Sequence, residues 1–215
     1  MRFRKPSGGR LLLAAAASLL TLVATMPAAS AASSANWQLA NGSVKTTPGI
    51  ATFDFTAGNK TRLLYNGRDT SVLGNLSGKT MIANFNVANV SRTATFTYSG
   101  ETAGSVLPSA SVRLYFESIP PGSKFAYTNY WWADVTPGSA SLANGQVTLT
   151  ITVNPAEKWS DWNGQQSGSN VGLFNAAAAN VTAVGLSFGG GYFFENGAGT
   201  SDGSGTFTLN SFTDQ

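Results

Sequence analysis

From Gln146 to Val153 the chain reads Gln-Val-Thr-Leu-Thr-Ile-Thr-Val, apolar at every second position. Only an extended strand gathers Val147, Leu149, Ile151 and Val153 on one face, because successive side chains of a strand point to opposite sides. A helix would spread the same four around its circumference. Asn144-Gly145 ahead of this run is a hairpin signal, and Asn154-Pro155 stops it. Strand-length segments of similar character recur at Ile50–Phe55, Thr61–Tyr65, Thr80–Val87, Thr93–Tyr98, Ser111–Glu117, Val181–Phe188 and Thr206–Phe212. Turn clusters such as Asn66-Gly67, Asn75–Lys79, Pro120-Pro121-Gly122 and Gly189-Gly190-Gly191 separate them. No stretch carries a long helical period, although the alanines 176–179 allow one or two helical turns over Phe174–Asn180. About nine or ten short strands without intervening helices predict an all-β, antiparallel β-sandwich, with a β-barrel as the alternative. The expected core sets Val147, Leu149, Ile151 and Val153 against Phe85, Phe96, Leu114 and Phe116.

The N-terminus follows another logic. Arg2, Arg4, Lys5 and Arg10 precede an apolar run from Leu11 to Ala24, and Ala29-Ser30-Ala31 forms an A-x-A site. This is the pattern of a cleaved secretory signal peptide over residues 1–31. The run is short for a membrane span, so no membrane association is expected after cleavage. A single domain over 32–215, secreted and extracellular, is the expectation. Four of the 13 basic residues lie in the leader, and the remaining nine nearly balance the 10 acidic ones. The formal charge of +3 thus belongs to the leader, and nothing points to nucleic acid, which needs a basic patch.

The chain has no cysteine and no histidine. Histidine bases, histidine triads and histidine-ligated zinc are therefore excluded. The acids show no paired E-x-D pattern of the kind a glycosidase would place across a cleft. No catalytic residue, no metal ligand and no cofactor is assigned; a structural calcium ion held by backbone carbonyls stays open.

Three stretches carry candidate binding residues. Phe125–Asp134 alternates aromatic and polar residues and reads as one strand. Phe125, Tyr127, Asn129, Trp131, Ala133 and Val135 would face the core. Tyr130 and Trp132 would stand on the mixed face with Lys124 and Asp134. Trp159–Gln166 reads as a loop or single helical turn, where Trp159 and Trp162 share a side beside Asp161, Asn163 and Gln165. For Trp159 a packing role at the open end of the sandwich weighs equally with a binding role. Glu195-Asn196, after three glycines, could bind hydroxyls or simply build a turn. Aromatic rings beside amides and carboxylates suit sugars: a pyranose stacks its apolar face on a ring while its hydroxyls take hydrogen bonds.

Leu76-Ser-Gly-Lys-Thr80 resembles the turn and strand L-x-G-K-T of secreted jelly-roll carbohydrate-binding modules, as does Val112–Phe116 followed by Tyr130-Trp131-Trp132. Val153–Trp159 and Phe174–Leu186 are similar to the late half of laminin-B-like and galactose-binding-like sandwiches. The resemblance spans about Ser71–Phe212 in order of elements. It implies a jelly roll that binds a polysaccharide or cell-surface glycan without catalysis, as a monomer, through the aromatic and amide positions above. A structural or adhesive protein whose aromatics only pack is the second expectation, and a polysaccharide hydrolase or lyase the third.

Overall fold

The computed structural model describes residues 30–58, 60–100, 109–120, 122–134, 136–190 and 196–215. Most of the leader lies outside them, as do Pro121, Val135 and Glu195. The described strands in chain order are β1 (Ser30–Ala31), β2 (Trp37–Leu39), β3 (Ala51–Asp54), β4 (Leu63–Asn66), β5 (Thr80–Ala88), β6 (Phe96–Tyr98) and β7 (Ser111–Glu117). They continue as β8 (Tyr130–Ala133), β9 (Ser139–Ser141), β10 (Gly145–Thr152), β11 (Trp159–Asp161), β12 (Ala183–Gly189), β13 (Ala198–Thr200) and β14 (Thr206–Asp214). One helix, α1 (Val171–Ala178), sits between β11 and β12.

All pairings are antiparallel. One sheet runs β3–β14–β5–β10, with β1 beside β3 on the same edge of β14. The other runs β11–β8–β7–β12–β4–β2, with β9 sharing an edge of β7 with β8. A small third sheet pairs β6 with β13. The two large sheets bury one common core. Met81, Ala83, Phe85, Leu149, Ile151, Phe207 and Phe212 come from the first, and Leu64, Leu114, Phe116, Trp131, Val184 and Phe188 from the second. Phe188 meets Phe53 and Phe207 edge-on across the gap, with centroids 5.6 and 5.2 Å apart.

Perfect alternation explains the long strands. β5 alternates buried and half-buried residues along its whole length. β10 pairs with it in unbroken register from Gly145 opposite Val87 to Thr152 opposite Thr80. Phe207, Leu209 and Phe212 all reach the core although they break period two. A bulge between Leu209 and Ser211 absorbs the odd residue, with Asn210 exposed. The expected core of Leu149, Ile151, Val153, Phe85, Phe96, Leu114 and Phe116 is buried, and Val147 packs half-buried at its edge. Leu149→Ala should cost about 2–5 kcal/mol through lost transfer energy and a cavity that rigid neighbours cannot close. A urea titration showing a loss under about 1 kcal/mol would mean that this face is not core.

Two expectations about local structure do not hold. Residues 125–134 are not one strand. Tyr127–Asn129 is a 3-10 turn, and only Tyr130–Ala133 extends. The Ser118 amide carries the ladder one pair further, to the Asn129 carbonyl at 2.8 Å, and there the turn's own bond from the Asn129 amide to the Ala126 carbonyl takes over. Phe125 and Tyr127, expected inside, are therefore exposed. Residues 159–161 are a strand rather than a helical turn. They pair with β8 and send Trp159 inward and Ser160 outward.

Candidate functional site

The outer face of the second sheet carries a second apolar cluster, separate from the core. A single register row crosses it: Gln38 opposite Tyr65, Tyr65 opposite Gly185, Gly185 opposite Tyr115, Tyr115 opposite Trp132, Trp132 opposite Ser160. The row spans six strands, roughly 24 Å at the usual ~4.8 Å strand spacing. Its neighbours in β12 are small, since Ala183, Gly185 and Ser187 point the same way. Gly185 has no room for a side chain: a Cβ there would lie 2.1 Å from the Leu64 carbonyl oxygen and 3.0 Å from Cε1 of Tyr115. The outward side of β12 is buried along its length, with the Tyr115 ring lying over Gly185, and on the other side of β4 the Tyr65 hydroxyl donates to Gln38 Oε1 at 3.0 Å.

Tyr115 and Trp132 are buried at the centre of the cluster, with Leu63, Tyr65, Tyr130 and Trp162 half-buried around them. Trp132 stacks near-parallel between Tyr115 at 6.5 Å and Tyr130 at 6.1 Å. Trp162 closes on Trp132 at 5.6 Å and on Tyr130 at 5.1 Å. Phe125 then meets Trp162, Tyr130 and Tyr127 within 5.6 Å. The rings grade from wholly covered Tyr115 to Phe125 and Tyr127, which are 56% and 48% exposed. Trp132 is 6% exposed, and its indole Nε1 is buried without a hydrogen-bond partner among the described residues.

Polar groups flank the rings on both sides. Asp134 Oδ1 accepts from Arg113 NH1 and from Ser160 Oγ, each at 2.6 Å, and Oδ2 accepts from Gln166 Nε2 at 2.5 Å. Burial lowers the Arg113 guanidinium to about 10, while the charge and hydrogen bond of Asp134 oppose the shift. On the other flank Glu117 stands opposite Tyr130 in register. Burial pushes its carboxyl above the usual glutamate range. The sign follows from proton binding. Below the ordinary glutamate pKa of about 4.3 both folded and unfolded chains hold the proton and no penalty exists. As pH rises, the unfolded chain releases it first, so stability falls until the folded carboxyl also ionises. Glu117→Gln should therefore raise the Tm at pH 7 and leave it unchanged near pH 3. Equal Tm values at pH 7 would contradict this.

The structure brings together only some of the candidate residues. Tyr130, Trp132 and Trp162 lie in the cluster, with Asn163 and Gln165 exposed on the Trp162 loop. Trp159 takes the packing role: it is fully buried, meets Phe116 at 5.1 Å, and donates from Nε1 to the Thr152 carbonyl. Asp161 is buried beneath the loop. Its Oδ1 accepts from the Asn163 and Gln165 amides, both at 2.9 Å, which holds Trp162 in place rather than offering a carboxylate to a ligand. Gln165 Oε1 accepts from Asn170 Nδ2 at 2.7 Å. The Asn196 side chain is tied to backbone: Oδ1 accepts from the Gly190 amide, and Nδ2 donates to the carbonyls of Ser99 and Gly190. These contacts lie at the Gly189 end of β12, away from Glu117 and Tyr130. Glu195 lies outside the described residues. Tyr65, Tyr115, Gln38, Arg113, Asp134 and Glu117 complete the site without having been singled out from sequence. Their signal was the outward parity of Arg113, Tyr115 and Glu117 in β7, together with the small outward residues of β12.

Comparison of the chain with protein-family models, with curated proteins and with solved structures returns no match.

Proposed function

We propose that this is a secreted, non-catalytic carbohydrate-binding protein, and that the outer face of the second sheet holds the glycan. The observation that carries the reading is the aromatic cluster itself. Natural sandwiches fill their cores with such rings, but here a second set stands on the solvent side of one sheet. The cluster is bordered at its Trp132 side by the hydrogen-bonded Arg113–Asp134–Ser160–Gln166 group and at its Tyr65 side by Gln38. Rings beside fixed donors and acceptors suit a neutral polyol better than an anion or a flat apolar partner. Asp134 accepts from three donors, which fixes its carboxylate and keeps Arg113, Ser160 and Gln166 in place beside the rings. The strand order supports reading the sandwich as a jelly roll, β3–β14–β5–β10 facing β4–β12–β7–β8, an arrangement that lectin domains share. The leader supports export, with cleavage near Ala32, which would remove β1 from the edge of β14.

The structural alternative has its own support, since Tyr115 is fully covered and Trp132 nearly so. Pull-down on a panel of insoluble polysaccharides separates the two readings. The wild-type chain should be retained on at least one neutral polysaccharide, and Trp162→Ala should weaken retention by about 1–3 kcal/mol, the range known for aromatic stacking on nucleobases. Wild-type chain that passes every matrix, or Trp162→Ala that binds as well as wild type, would leave the rings as packing only.

A further inference from the structure

At the end of the sandwich, beside the aromatic cluster, a groove of about 670 Å³ opens between α1 and the 3-10 turn Tyr127–Asn129. Its size falls within the range of roughly 300–1,000 Å³ typical of small-molecule sites. Ser118, Thr128 and Asn129 form one wall, and Leu173, Ala176 and Asn180 the other. The floor is rigid. Trp131 and Phe174 pack at 4.9 Å beneath it, and Trp131 Nε1 donates to the Thr128 carbonyl at 2.8 Å. The Asn180 amide is fixed by donation to the Ala176 carbonyl at 3.0 Å.

We infer that this groove is a second subsite for the same ligand, taking the continuation of a neutral oligosaccharide whose other part rests on the aromatic cluster. The inference rests on the carbohydrate-binding reading above and extends it. Three observations carry it. No residue that lines the groove has a titratable side chain. A phosphate, a carboxylate sugar or a charged peptide would enter without a counter-charge, whereas a neutral polyol needs none. The lining mixes amides and hydroxyls with small apolar side chains, which matches the two kinds of surface on a pyranose. Finally, the turn is a wall of both sites. Tyr127 contacts Phe125 in the aromatic cluster, the Trp162 amide donates to the Tyr127 carbonyl at 3.3 Å, and the next two residues line the groove. The exposed large apolar side chains among the described residues are Phe125, Tyr127, Val171 and Leu173, all on this segment or on α1. An exposed apolar patch of this kind marks a contact surface.

The test exploits the absence of cysteine. Ala176→Cys, exposed on α1, is labelled with an environment-sensitive fluorophore and read beside intrinsic tryptophan fluorescence. The probes are cello-, xylo-, manno- and laminari-oligosaccharides of increasing length. In the binding series, long members should change both signals, and the shortest should change tryptophan fluorescence alone. Ala176→Trp, which fills the groove from an exposed position, should weaken long members by about tenfold or more and spare the shortest; Asn129→Ala should do the same more weakly. Tryptophan quenching with a silent label, or Ala176→Trp affinities equal to wild type at every length, would overturn the groove and leave the aromatic site standing. A label response of unchanged affinity in Trp162→Ala would overturn the two-subsite reading, because the groove would then bind the sugar without the aromatic site. Silence of both signals for all probes would sink both. A label signal that depends on protein concentration without sugar would reassign the groove to contact between copies of the chain.

Discussion

Trp131→Ala is expected to destabilise the fold by about 3–5 kcal/mol. The side chain is wholly buried, and Phe174 lies edge-on at 4.9 Å from its centroid. Phe174 in turn touches Phe116 and Trp159, so the ring sits inside a locked aromatic group that cannot collapse into the space it leaves. The change also deprives the Thr128 carbonyl of its indole donor. Trp132→Ala, one residue on, is expected to cost about 1.5–3 kcal/mol, because its cavity opens toward the outer face where water or neighbouring rings can enter. Parity alone would make Trp132 free to remove. Its 6% exposure under Tyr115, Tyr130 and Trp162 shows that a residue on the outer face can still be buried. Urea unfolding of both variants measures the difference. Equal losses would mean that the two faces of β8 are equally enclosed.

Lys79→Met is expected to cost about 1–3 kcal/mol, since it strips the partner from a fully buried carboxylate while Lys79 itself is 40% exposed. Lys79 Nζ bonds Asp214 Oδ2, and the Asp214 side chain is fully buried. Asp214 Oδ1 already lacks a partner, so the lysine is the carboxylate's one recorded countercharge. Around the pair, Thr80 and Gln215 exchange backbone hydrogen bonds, and the end of β14 runs beside the start of β5. The loss belongs to the stranded charge rather than to the missing contact. Adding Asp214→Leu to Lys79→Met should therefore recover most of the stability, since an apolar replacement of both partners is often neutral or better. A double variant as unstable as the single one would show that the interaction itself, and not desolvation, carries the effect.

These two sites differ in how much of them could be read from the chain. β5, β7 and β10 were legible because each alternates over seven residues or more and so declares its face without help. β7 matched residue for residue at Ser111–Glu117. The segment before Trp131 misled because its aromatic residues alternate by composition, while the 3-10 turn over Tyr127–Asn129 sets the real boundary of the strand. β11 was hidden by length, since three residues cannot display a period. The helix was read from its alanines but begins at Val171, three residues earlier than they indicated. The aromatic row was the least legible feature. Tyr65 and Tyr115 are aligned through β12 and Trp132 through β7, and no local pattern encodes either pairing. Trp159 and Trp162 look equivalent in sequence, and only the short strand between β8 and the loop sends one inward and leaves the other at the surface.

The central claim is that a glycan rests on the outer face of the second sheet. Backbone amide shift mapping on isotope-labelled protein, titrated with a soluble oligosaccharide from the polysaccharide that retains it, tests this most directly. Perturbations should concentrate on Gln38, Tyr65, Tyr130, Trp132 and Trp162, with the Trp132 indole N–H among the affected signals. Perturbations confined to Asn84, Thr148 and Ser211 on the opposite sheet, or none at saturating sugar, would contradict it.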